Sequence, residues 1–422
     1  MPIGTNGNKR DIKLIKETQF TGQPPVWSNR KIWALAVGQT LVWAGLFYIF
    51  PALLTHWEAY FGWSRETLTF GFSGALIVAA ISGIIAGRVI DRGKSQFLLA
   101  GSAIAGAVLL ASLPQVSTVW QFYLIWLGIG VAMAGCLYEP CFAYLTRRYQ
   151  AEAKRPIVMI TLVAGFAGTI CFPVANAISN AIHWQASVWL FAASICFVAA
   201  PLLWYGSSEK TPDKTIRSPS TAKPTFAAIL SLVLRKPRFW ALAILFGSVA
   251  INHGMIISHI LPLIESRGVQ SGHAIIAASF IGVAQIVGRL AVLPLEKRTS
   301  LVVTCGIALV ALSAASGSLA LAGYSIVFLG TFVLLQGVGI GVESITKPLI
   351  TAQMLGRENF GTISALVSIL FVWGFALAPA LGGVIWASYG YDVFFKITIA
   401  LGLVALIGLL IASRNPQRAE PS

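Results

Sequence analysis

Charged side chains are scarce in this sequence. Asp, Glu, Lys and Arg together make up 11% of the 422 residues, while hydrophobic residues make up 56%. An ordinary soluble domain carries about a quarter charged residues, so this shortage excludes a water-soluble globule. A membrane-spanning helix needs about 20 mostly apolar residues, and the apolar content is enough for about twelve such helices. The composition therefore predicts a polytopic membrane protein.

Cysteine is also rare, and enzyme signatures are missing. The five cysteines lie in apolar runs without metal-ligand spacing, so we interpret them as packing residues. The sequence has no glycine-rich phosphate loop followed by Lys-Ser or Lys-Thr, no His or Cys ligand cluster and no Ser-His-Asp arrangement. We therefore expect no enzyme activity, no metal and no cofactor. Movement of a solute must then be driven by an ion gradient or by the solute's own gradient.

Twelve apolar runs of helical length follow one another along the chain. They begin near Ile32, Leu68, Phe97, Phe122, Ile157 and Ser187, and again near Phe239, Ala274, Leu301, Ser325, Thr362 and Val393. A polar stretch rich in Lys, Ser, Thr and Pro separates the sixth run from the seventh and is typical of a solvated linker. The predicted order is a tail (residues 1–30), a six-helix bundle (31–205), a linker (206–238), a second six-helix bundle (239–412) and a tail (413–422).

The basic residues are distributed unevenly between the two sets of connections. Most of the 30 Lys and Arg residues fall in the tails and the even-numbered connections, whereas Arg65 and Arg267 lie on the opposite face. The positive-inside rule makes the first set cytoplasmic. We therefore predict a protein of the inner (plasma) membrane with both termini in the cytoplasm. The net charge of +15 follows from this topology and requires no nucleic-acid partner.

The two halves of the chain repeat several landmarks. Residues 32–36 and 239–243 share the sequence Trp-Ala-Leu-Ala, Gly87-Arg88 matches Gly288-Arg289, Pro140 matches Pro348, and Gly168–Pro173 matches Gly374–Pro379. Two copies of one unit in the same orientation are typical of secondary transporters, which bind their solute near the midplane between the halves. The fold prediction is an all-α membrane protein with 12 transmembrane helices in two pseudo-symmetric six-helix bundles.

These features, together with the loop Gly87–Lys94 (GRVIDRGK) after the second helix, resemble the major facilitator superfamily over residues 30–412. The loop is similar to the family signature G-x-x-x-D-R-x-G-R, although it is one residue shorter and lacks the paired basic ending. The pattern Gly-Arg-x-Ile-Asp-Arg and Arg289 in the eighth helix resemble the branch of monocarboxylate and oxalate/formate porters. That branch often has Asp four residues before the Arg, where this chain has Gln285. The resemblance implies an alternating-access carrier with helices 1, 4, 7 and 10 around a central cavity.

Two acidic residues inside the predicted helices are candidates for proton coupling. Glu139 lies about 10 Å inside the cytoplasmic end of helix 4, where desolvation makes reversible protonation plausible. Pro140 frees a backbone carbonyl in the preceding turn and permits a bend. The alternative for Glu139 is a permanent ion pair with a base of the other half. Glu343 lies four residues before Lys347, which favours a mutual salt bridge; alternatively, Lys347 exchanges partners between these acids and an anionic solute as the halves move.

Two bases inside the predicted helices are candidates for binding the solute. Arg289 stays charged at any accessible pH and must find an acceptor, and its donors suit a carboxylate held by two hydrogen bonds. Together with Lys347 it is the expected anchor for an anion. The alternative is a structural role for Arg289, with Glu343 or backbone carbonyls as its partners.

Further candidates for the solute site are polar and aromatic residues, five of them in helices that the resemblance places around the cavity. These five are Gln39, Trp43, Tyr138, Asn252 and His253, and the other two are Gln285 in helix 8 and Trp373 in helix 11. Several aromatic rings facing the cavity would favour a flat or aromatic solute, although such rings more often pack or form interface belts. His253 is also a second candidate proton carrier, and the alternative is a histidine that only satisfies a packing partner.

The connections after helices 2 and 4 hold the candidate gate residues. They are Gly87, Arg88, Asp91, Arg92, Arg147 and Arg148. An acid at this position can contact a neighbouring helix N-terminus or the two arginines after helix 4, and thereby lock one closed state. A solvated loop is the alternative.

The sequence as a whole predicts a proton-coupled secondary transporter that works as a monomer in membrane lipid on a small-molecule substrate. The favoured solute is a monocarboxylate-like anion. Two alternatives within transport are efflux of amphipathic drugs and import of a planar vitamin such as a flavin. A membrane sensor that moves nothing is the alternative from a different class. A channel is disfavoured because the paired charges and repeated helix breaks suit a moving gate.

Overall fold

The computed structural model of the chain is almost entirely helical. It describes residues 26–149, 153–208, 231–296, 298–356 and 360–414. Most of the two predicted tails and residues 209–230 of the predicted linker lie outside the described residues.

In the described ranges, twelve helices of membrane-crossing length form two consecutive sets of six. The first set consists of α1 (Arg30–Phe61), α2 (Arg65–Asp91), α3 (Ser95–Gln115), α4 (Val119–Tyr149), α5 (Arg155–Ala181) and α6 (Trp184–Gly206). The second set begins with α7 (Pro237–Ser258), α8 (Ser271–Glu296), α9 (Leu301–Ala320) and α10 (Ile326–Leu355). It ends with the helical segment Phe360–Ser413, which Gly390 divides into α11 (residues 360–389) and α12 (residues 391–413).

Each of these helices is long and apolar enough to cross a membrane. Within the described ranges, eleven segments meet that requirement by length and composition, and the last one, Leu366–Ser413, contains both α11 and α12. Gly390 separates the two because its φ of 73° lies in the left-handed region, which side-chain-bearing residues rarely adopt. The predicted all-α membrane fold is confirmed.

Polar side chains determine where several helices begin. The Asn29 side-chain oxygen accepts a hydrogen bond of 2.9 Å from the Lys31 backbone N–H at the start of α1. The equivalent capping residues of later helices are Ser64, Thr118, His183, Ser300 and Ser325. These caps satisfy N–H groups that have no partner inside the helix. Most helices therefore begin a few residues before the apolar run that predicted them.

Helix α4 breaks next to Glu139, as the proline predicted. Leu137 leaves the helical conformation (φ −80°, ψ −158°). Pro140 has no N–H, so the Cys136 carbonyl loses its normal helical donor. The Gln39 side chain of α1 donates to this carbonyl at 2.8 Å. Gln39 is completely buried and satisfies the backbone at the break, so it does not reach the cavity as a solute ligand.

Two π-helical turns lie opposite each other in the first half. They span Ala44–Tyr48 in α1 and Ile195–Ala199 in α6. Gly45 permits their close approach, because a Cβ at this position would lie 2.7 Å from the Ile195 Cδ1 atom. Single π-turns are frequent at functional sites, and the turn in α1 carries two aromatic residues described below.

The two halves meet along two seams, between α2 and α11 and between α5 and α8. We name the end of the bundle where α1 begins the basic end, and the end with the turn between α1 and α2 the far end. In the first seam, the Ala380 backbone N–H donates to the Ser73 hydroxyl at 2.9 Å. In the second, the Thr169 hydroxyl donates to the Ser279 carbonyl at 2.5 Å. Both contacts lie between mid-depth and the far end.

We expect Gln39→Leu to destabilise the protein, because it leaves the buried Cys136 carbonyl without a donor. The cost of such an orphaned group is about 1–3 kcal/mol, and it should appear as a lower midpoint of thermal unfolding in detergent. Thr40→Val is the matched control. Thr40 is equally buried in α1, but its hydroxyl bonds the Ala36 carbonyl of its own helix at 2.9 Å. If both variants lower the unfolding midpoint equally, the hydrogen bond from Gln39 to the Cys136 carbonyl does not make the stabilising contribution assigned to it.

Candidate solute and proton site

Lys347 in α10 is the charge around which the site is arranged. Lys347 lies within electrostatic range of two carboxylates, Glu139 of α4 and Glu343 of α10. Glu139 belongs to the first half and Lys347 to the second. Glu139 is exposed, and we interpret this exposure as facing the internal space, because a carboxylate that faces lipid would carry a large desolvation cost. Glu343 is only 4% exposed.

The predicted salt bridge between Glu343 and Lys347 is not formed, since these two described side chains do not come within 4.0 Å. The Lys347 ammonium instead lies 3.5 Å from the centre of the Phe371 ring in α11, where the negative face of the ring attracts a cation. The Glu343 Oε1 atom is buried without a hydrogen-bond partner. An ionised carboxylate in this position carries a large desolvation cost unless a cation approaches it.

Arg289 in α8 bridges the seam to the first half. Its Nη1 atom donates to the Thr161 carbonyl of α5 at 2.8 Å. Its charge also interacts with the hydroxyl groups of Tyr48 and Tyr138. In this conformation the guanidinium therefore binds a backbone carbonyl, which is the structural alternative raised by the sequence. Its other donors have no further hydrogen-bond partner among the described residues, and Arg289 is half-buried beside the two tyrosines.

A continuous series of aromatic rings crosses from the first half to the second. Neighbouring ring centres are 4.7 Å apart for Tyr138 and Trp43, 5.2 Å for Trp43 and Phe47, 5.9 Å for Phe47 and Phe375, and 6.4 Å for Phe375 and Phe371. The last two pairs are stacked, at interplanar angles of 15° and 5°. We call these five residues the ring series. It begins beside Glu139 and ends beneath Lys347.

Trp373 lies on the face of α11 opposite Phe371 and Phe375, a position that does not support its predicted contact with solute. Its side chain is 40% exposed, and it belongs to a stripe of exposed apolar residues at helical spacing. The other members are Ile369, Leu370, Leu377 and Leu381. Two residues correspond to about 200° around a helix, so Trp373 points to lipid when Phe371 and Phe375 point inward. The sequence analysis missed these two phenylalanines, although their spacing of four residues was a usable signal.

The polar residues of α7 have separate environments. Asn252 is 1% exposed and donates to the Thr398 carbonyl of α12 at 2.8 Å, so it packs within the second half and does not join the cavity. His253 is half-buried, and its Nδ1 atom accepts a hydrogen bond of 3.2 Å from Gln336. The His253 ring centre is 6.3 Å from that of Phe375. His253 therefore lies beside the ring series.

Gln285 lies one helical turn before Arg289 and is 7% exposed. Its backbone carbonyl packs against Gly341 of α10, where a Cβ would clash with it. This close approach brings α8 and α10 together, and with them Arg289 and Glu343. The structure therefore places Gln285 beside the charged groups, in the helix contact that supports them.

The gate residues lie at the basic end. The Arg147 Nη1 atom of α4 donates to the Ile90 carbonyl in the last turn of α2 at 2.6 Å. The Arg148 guanidinium lies 5.5 Å from the centre of the Tyr149 ring. Arginine 147 thus connects the end of α4 to the loop after α2, as a carbonyl-binding partner near the C-terminal end of the helix dipole.

The remaining gate candidates lie in or next to that loop. Gly87 is in the last turns of α2, and Arg88 and Arg92 are exposed. Gly93 forms the turn with a φ of 76°. The side chain of Asp91 lies outside the described residues, so its predicted contact with Arg147 and Arg148 stays a prediction.

At the far end, Asp392 pairs with Arg267 and not with Lys396, which is the basic residue four positions further along α12. The Asp392 Oδ1 atom accepts a hydrogen bond of 2.9 Å from Arg267, which lies between α7 and α8. The Arg267 guanidinium also lies 4.8 Å from the centre of the Phe395 ring. Lys396 is exposed. Asp392 pairs with Arg267 because the planar guanidinium can bind the carboxylate and the Phe395 ring at the same time.

An apolar groove of about 440 Å³ lies elsewhere, between α8 and α10. Its lining includes Ile276, Phe280, Val287 and Leu334, all of which are more than half or about half exposed. Such exposed apolar side chains belong to the lipid-facing surface. The groove is therefore separate from the ring series and the charged groups.

Within the described residues, twelve helices of membrane-crossing length lie in two sets of six with ionisable and aromatic side chains between them, which is the architecture of a multi-pass membrane protein built from two repeats. The sequence model of the Major Facilitator Superfamily matches residues 35–346. The chain belongs to this family.

One curated relative is an "MFS-type efflux pump" of Mycolicibacterium smegmatis (strain ATCC 700084 / mc(2)155). It is 28% identical over 229 residues, a match that covers 52% of this chain and 52% of the relative. The chain therefore spans about half the length of this relative.

Solved transporter structures share the fold at low sequence identity. A mutant of the nucleoside transporter NupG has a TM-score of 0.72 at 15% identity, and the match covers 92% of this chain and 100% of that chain. A bacterial homolog of the human lysosomal transporter Spinster, in an inward-facing and unoccupied conformation, has a TM-score of 0.65 at 17% identity and covers 93% of this chain and 96% of that one. At these identities the likeness establishes the fold alone.

The two acids of the site should differ in reactivity when each is replaced by cysteine. Because Glu139 is exposed and Glu343 is buried, we expect a thiol at position 139 (Glu139→Cys) to react with a small maleimide much faster than one at position 343 (Glu343→Cys). The rates are measured on purified protein by mass spectrometry. Cys196→Ala is the background, since Cys196 is the half-buried native thiol and the other four are buried. Similar rates at the two positions would contradict the placement of Glu139 in open internal space.

Proposed function

We propose that this protein is a secondary transporter that moves a small organic solute with an aromatic ring across the plasma membrane by alternating access. The ring series is the observation that carries the proposal. It spans both halves near mid-depth, where transporters of two parallel repeats hold their solute. A solute ring inserted between Phe47 and Phe375 would contact both halves at once and could bias their relative movement.

The chemistry of the ring series favours a flat solute. Aromatic pairs gain about 0.5–1.5 kcal/mol beyond the burial of their area, and each ring offers a face to a planar ligand. The buried Trp43 indole N–H has no hydrogen-bond partner, so it offers one polar contact to a solute acceptor. Drug efflux, the alternative raised by the sequence, agrees with this lining. The relative described as an efflux pump supports the same direction, and we propose export accordingly.

A carboxylate on the solute is the second candidate, and the positions of Arg289 and Lys347 favour it. The unused donors of Arg289 are suited to an anion. Within the described part of the chain, the Phe371 ring is the close partner of the Lys347 ammonium, so Lys347 can turn to a solute charge at little cost. An aromatic acid would use both features. This candidate keeps the monocarboxylate prediction as a hypothesis about the charge of the solute.

Three charged residues, Lys347, Glu139 and Glu343, support a proposal of proton coupling. We propose that Lys347 moves between Glu139 and Glu343 as the halves rock, and that Glu343 takes up a proton when Lys347 leaves it. The exposed Glu139 has water to stabilise its charge, whereas Glu343 depends on Lys347 or on a proton. His253 contributes a hydrogen bond beside the ring series and has no step in this scheme.

Trp43→Ala should weaken solute binding about tenfold through the lost stacking and the lost N–H contact. A ligand is first found by thermal-shift screening of aromatic compounds, since a bound ligand stabilises the native state. Its affinity is then measured for the variant. Trp373→Ala is the matched control, because that ring faces lipid, and it should leave affinity unchanged. Equal effects of the two substitutions would remove the ring series from the binding site.

The same ligand tests the anionic candidate and the sensor alternative. Arg289→Gln should lower affinity for an aromatic acid more than for its neutral amide; equal losses of affinity would exclude a role for Arg289 in binding the anion.

In liposomes that contain the purified protein, transport predicts a solute-dependent change of internal pH. Binding without flux would support a sensor and contradict the proposed function.

Glu343→Gln should uncouple transport from protons. The neutral amide cannot release a proton, so we expect exchange of labelled for unlabelled solute to continue while accumulation driven by a pH gradient is lost. Glu66→Gln is the control, since Glu66 lies in the first turn of α2 at the far end, away from Lys347. Retention of pH-driven accumulation in the Glu343 variant would show that another group carries the proton.

A further inference from the structure

Arg65 begins α2 at the far end and is held by its own half on one side. Its Nη2 and Nε atoms donate to the Glu58 Oε2 atom of α1 at 2.6 Å and 3.1 Å. The Arg65 side chain is only 11% exposed. The charge-assisted pair therefore fixes the position of the guanidinium next to the seam between α2 and α11.

The other side of the same guanidinium contacts the second half. Its carbon lies 4.4 Å from the centre of the Trp386 ring in α11. Its Nη1 atom donates to the hydroxyl of Tyr391 at the start of α12. One side chain thus binds an acid of the first half and two aromatic residues of the second. No other described arginine at the far end does this: Arg267 binds Asp392 and Phe395, both within the second half.

Below Arg65 the seam continues without charge. Thr69 of α2 packs against Gly383 of α11, and the Ser73 hydroxyl accepts from the Ala380 N–H one turn further in. A side chain on Gly383 would meet the backbone of Glu66 at 3.1 Å, so the helices are in close contact here. These contacts are small and neutral. Arg65 adds a charged contact to this otherwise neutral set.

We propose that Arg65 is the latch of the far-end gate: it holds α2 against α11 and α12 in the conformation seen here, and it releases Trp386 and Tyr391 while keeping Glu58 when the far end opens. The proposal rests on the alternating access of the proposed function. It names the residue that sets the balance between the two access states. The sequence analysis had assigned Arg65 only to the face poor in basic residues.

Arginine is required at this position because three contacts use its shape. The planar group can stack on Trp386 while its edges donate to Glu58 and Tyr391. A lysine could keep the acid but would lose the simultaneous ring and hydroxyl contacts. When the halves separate, Glu58 remains as a partner, so the charge is never left unpaired in either state. The latch can therefore open without leaving the Arg65 charge buried and unpaired.

The test measures closure of the seam with a disulfide. A Cβ at position 383 would lie 3.6 Å from the Thr69 Cβ atom, within the usual range of about 3.5–4.5 Å for a disulfide. The double variant Thr69→Cys/Gly383→Cys should therefore cross-link under mild oxidation after a small shift of the helices, because the new Cβ would lie 3.1 Å from the Glu66 Cα atom, and this shift is common to all the variants compared. The yield is followed in purified protein by mass spectrometry of the linked peptides, with each single-cysteine variant as a control. Failure of this parent pair to cross-link would overturn the closed seam itself.

Arg65→Gln in that background should slow cross-linking about tenfold, because a cation–π contact and a charge-assisted hydrogen bond across the seam are lost. Arg267→Gln removes the other far-end arginine and should leave the rate unchanged. Tyr391→Phe, which removes one hydroxyl, should give a smaller decrease and covers the case in which the Arg65 variant fails to fold. Equal rates for Arg65→Gln and Arg267→Gln, or for Tyr391→Phe and its parent, would overturn the latch.

The cross-link assay needs no solute, so its outcome is independent of the transport assays. If the oxidised pair still transports at the full rate, alternating access is contradicted even though Arg65 closes the seam. If oxidation blocks transport but Arg65→Gln does not change the cross-linking rate, the proposed function survives and the latch does not.

Discussion

The membrane interior offers no water to backbone groups, and most polar side chains of this bundle are placed by that constraint. At two of the helix prolines, side chains of another helix bond backbone groups at or near the proline. Gln39 donates to the carbonyl freed by Pro140, and the buried His259 Nε2 atom donates to the Pro379 carbonyl at 3.0 Å. The Ala380 N–H beside Pro379 donates to Ser73. The last of these bonds crosses between the halves, so a backbone N–H beside a proline of α11 is bonded by a residue of the other half.

The charged groups differ from these polar groups, because some of them lack an ion-pair or hydrogen-bond partner among the described residues. Lys347 has an aromatic face where an acid would be expected, and Glu343 has a buried oxygen without a partner. A structure selected only for stability would bring the two together. Their separation leaves both able to change partners, which is the property that a coupling site needs. The bonds at the proline breaks hold the helices in place around these unsatisfied charges.

Much of the fold could be predicted because its signals are local. The twelve helices follow from hydropathy, and the bend in α4 follows from the missing N–H of Pro140. The facing of α11 could be predicted only in part: the four-residue spacing puts Phe371 and Phe375 on one face and Trp373 on another, but in a helix that is nearly all apolar the sequence does not tell which face points inward. The contact of Asn252 with the Thr398 carbonyl depends on a neighbour far along the chain. Polarity in an apolar helix indicated that a partner exists, but not whether it is solute, side chain or backbone.

The π-turn in α1 sets how the rest of that helix is rotated around its axis. A π-turn accommodates one extra residue, and one residue corresponds to about 100° of rotation around a helix. Trp43 precedes the turn, whereas Phe47 and Tyr48 lie within it, so the angular offset between these rings depends on that added residue. A deletion of a single amino acid there would swing the segment Ile49–Phe61 around its axis, and natural length variation at this point of α1 would alter which rings line the cavity without changing any of them.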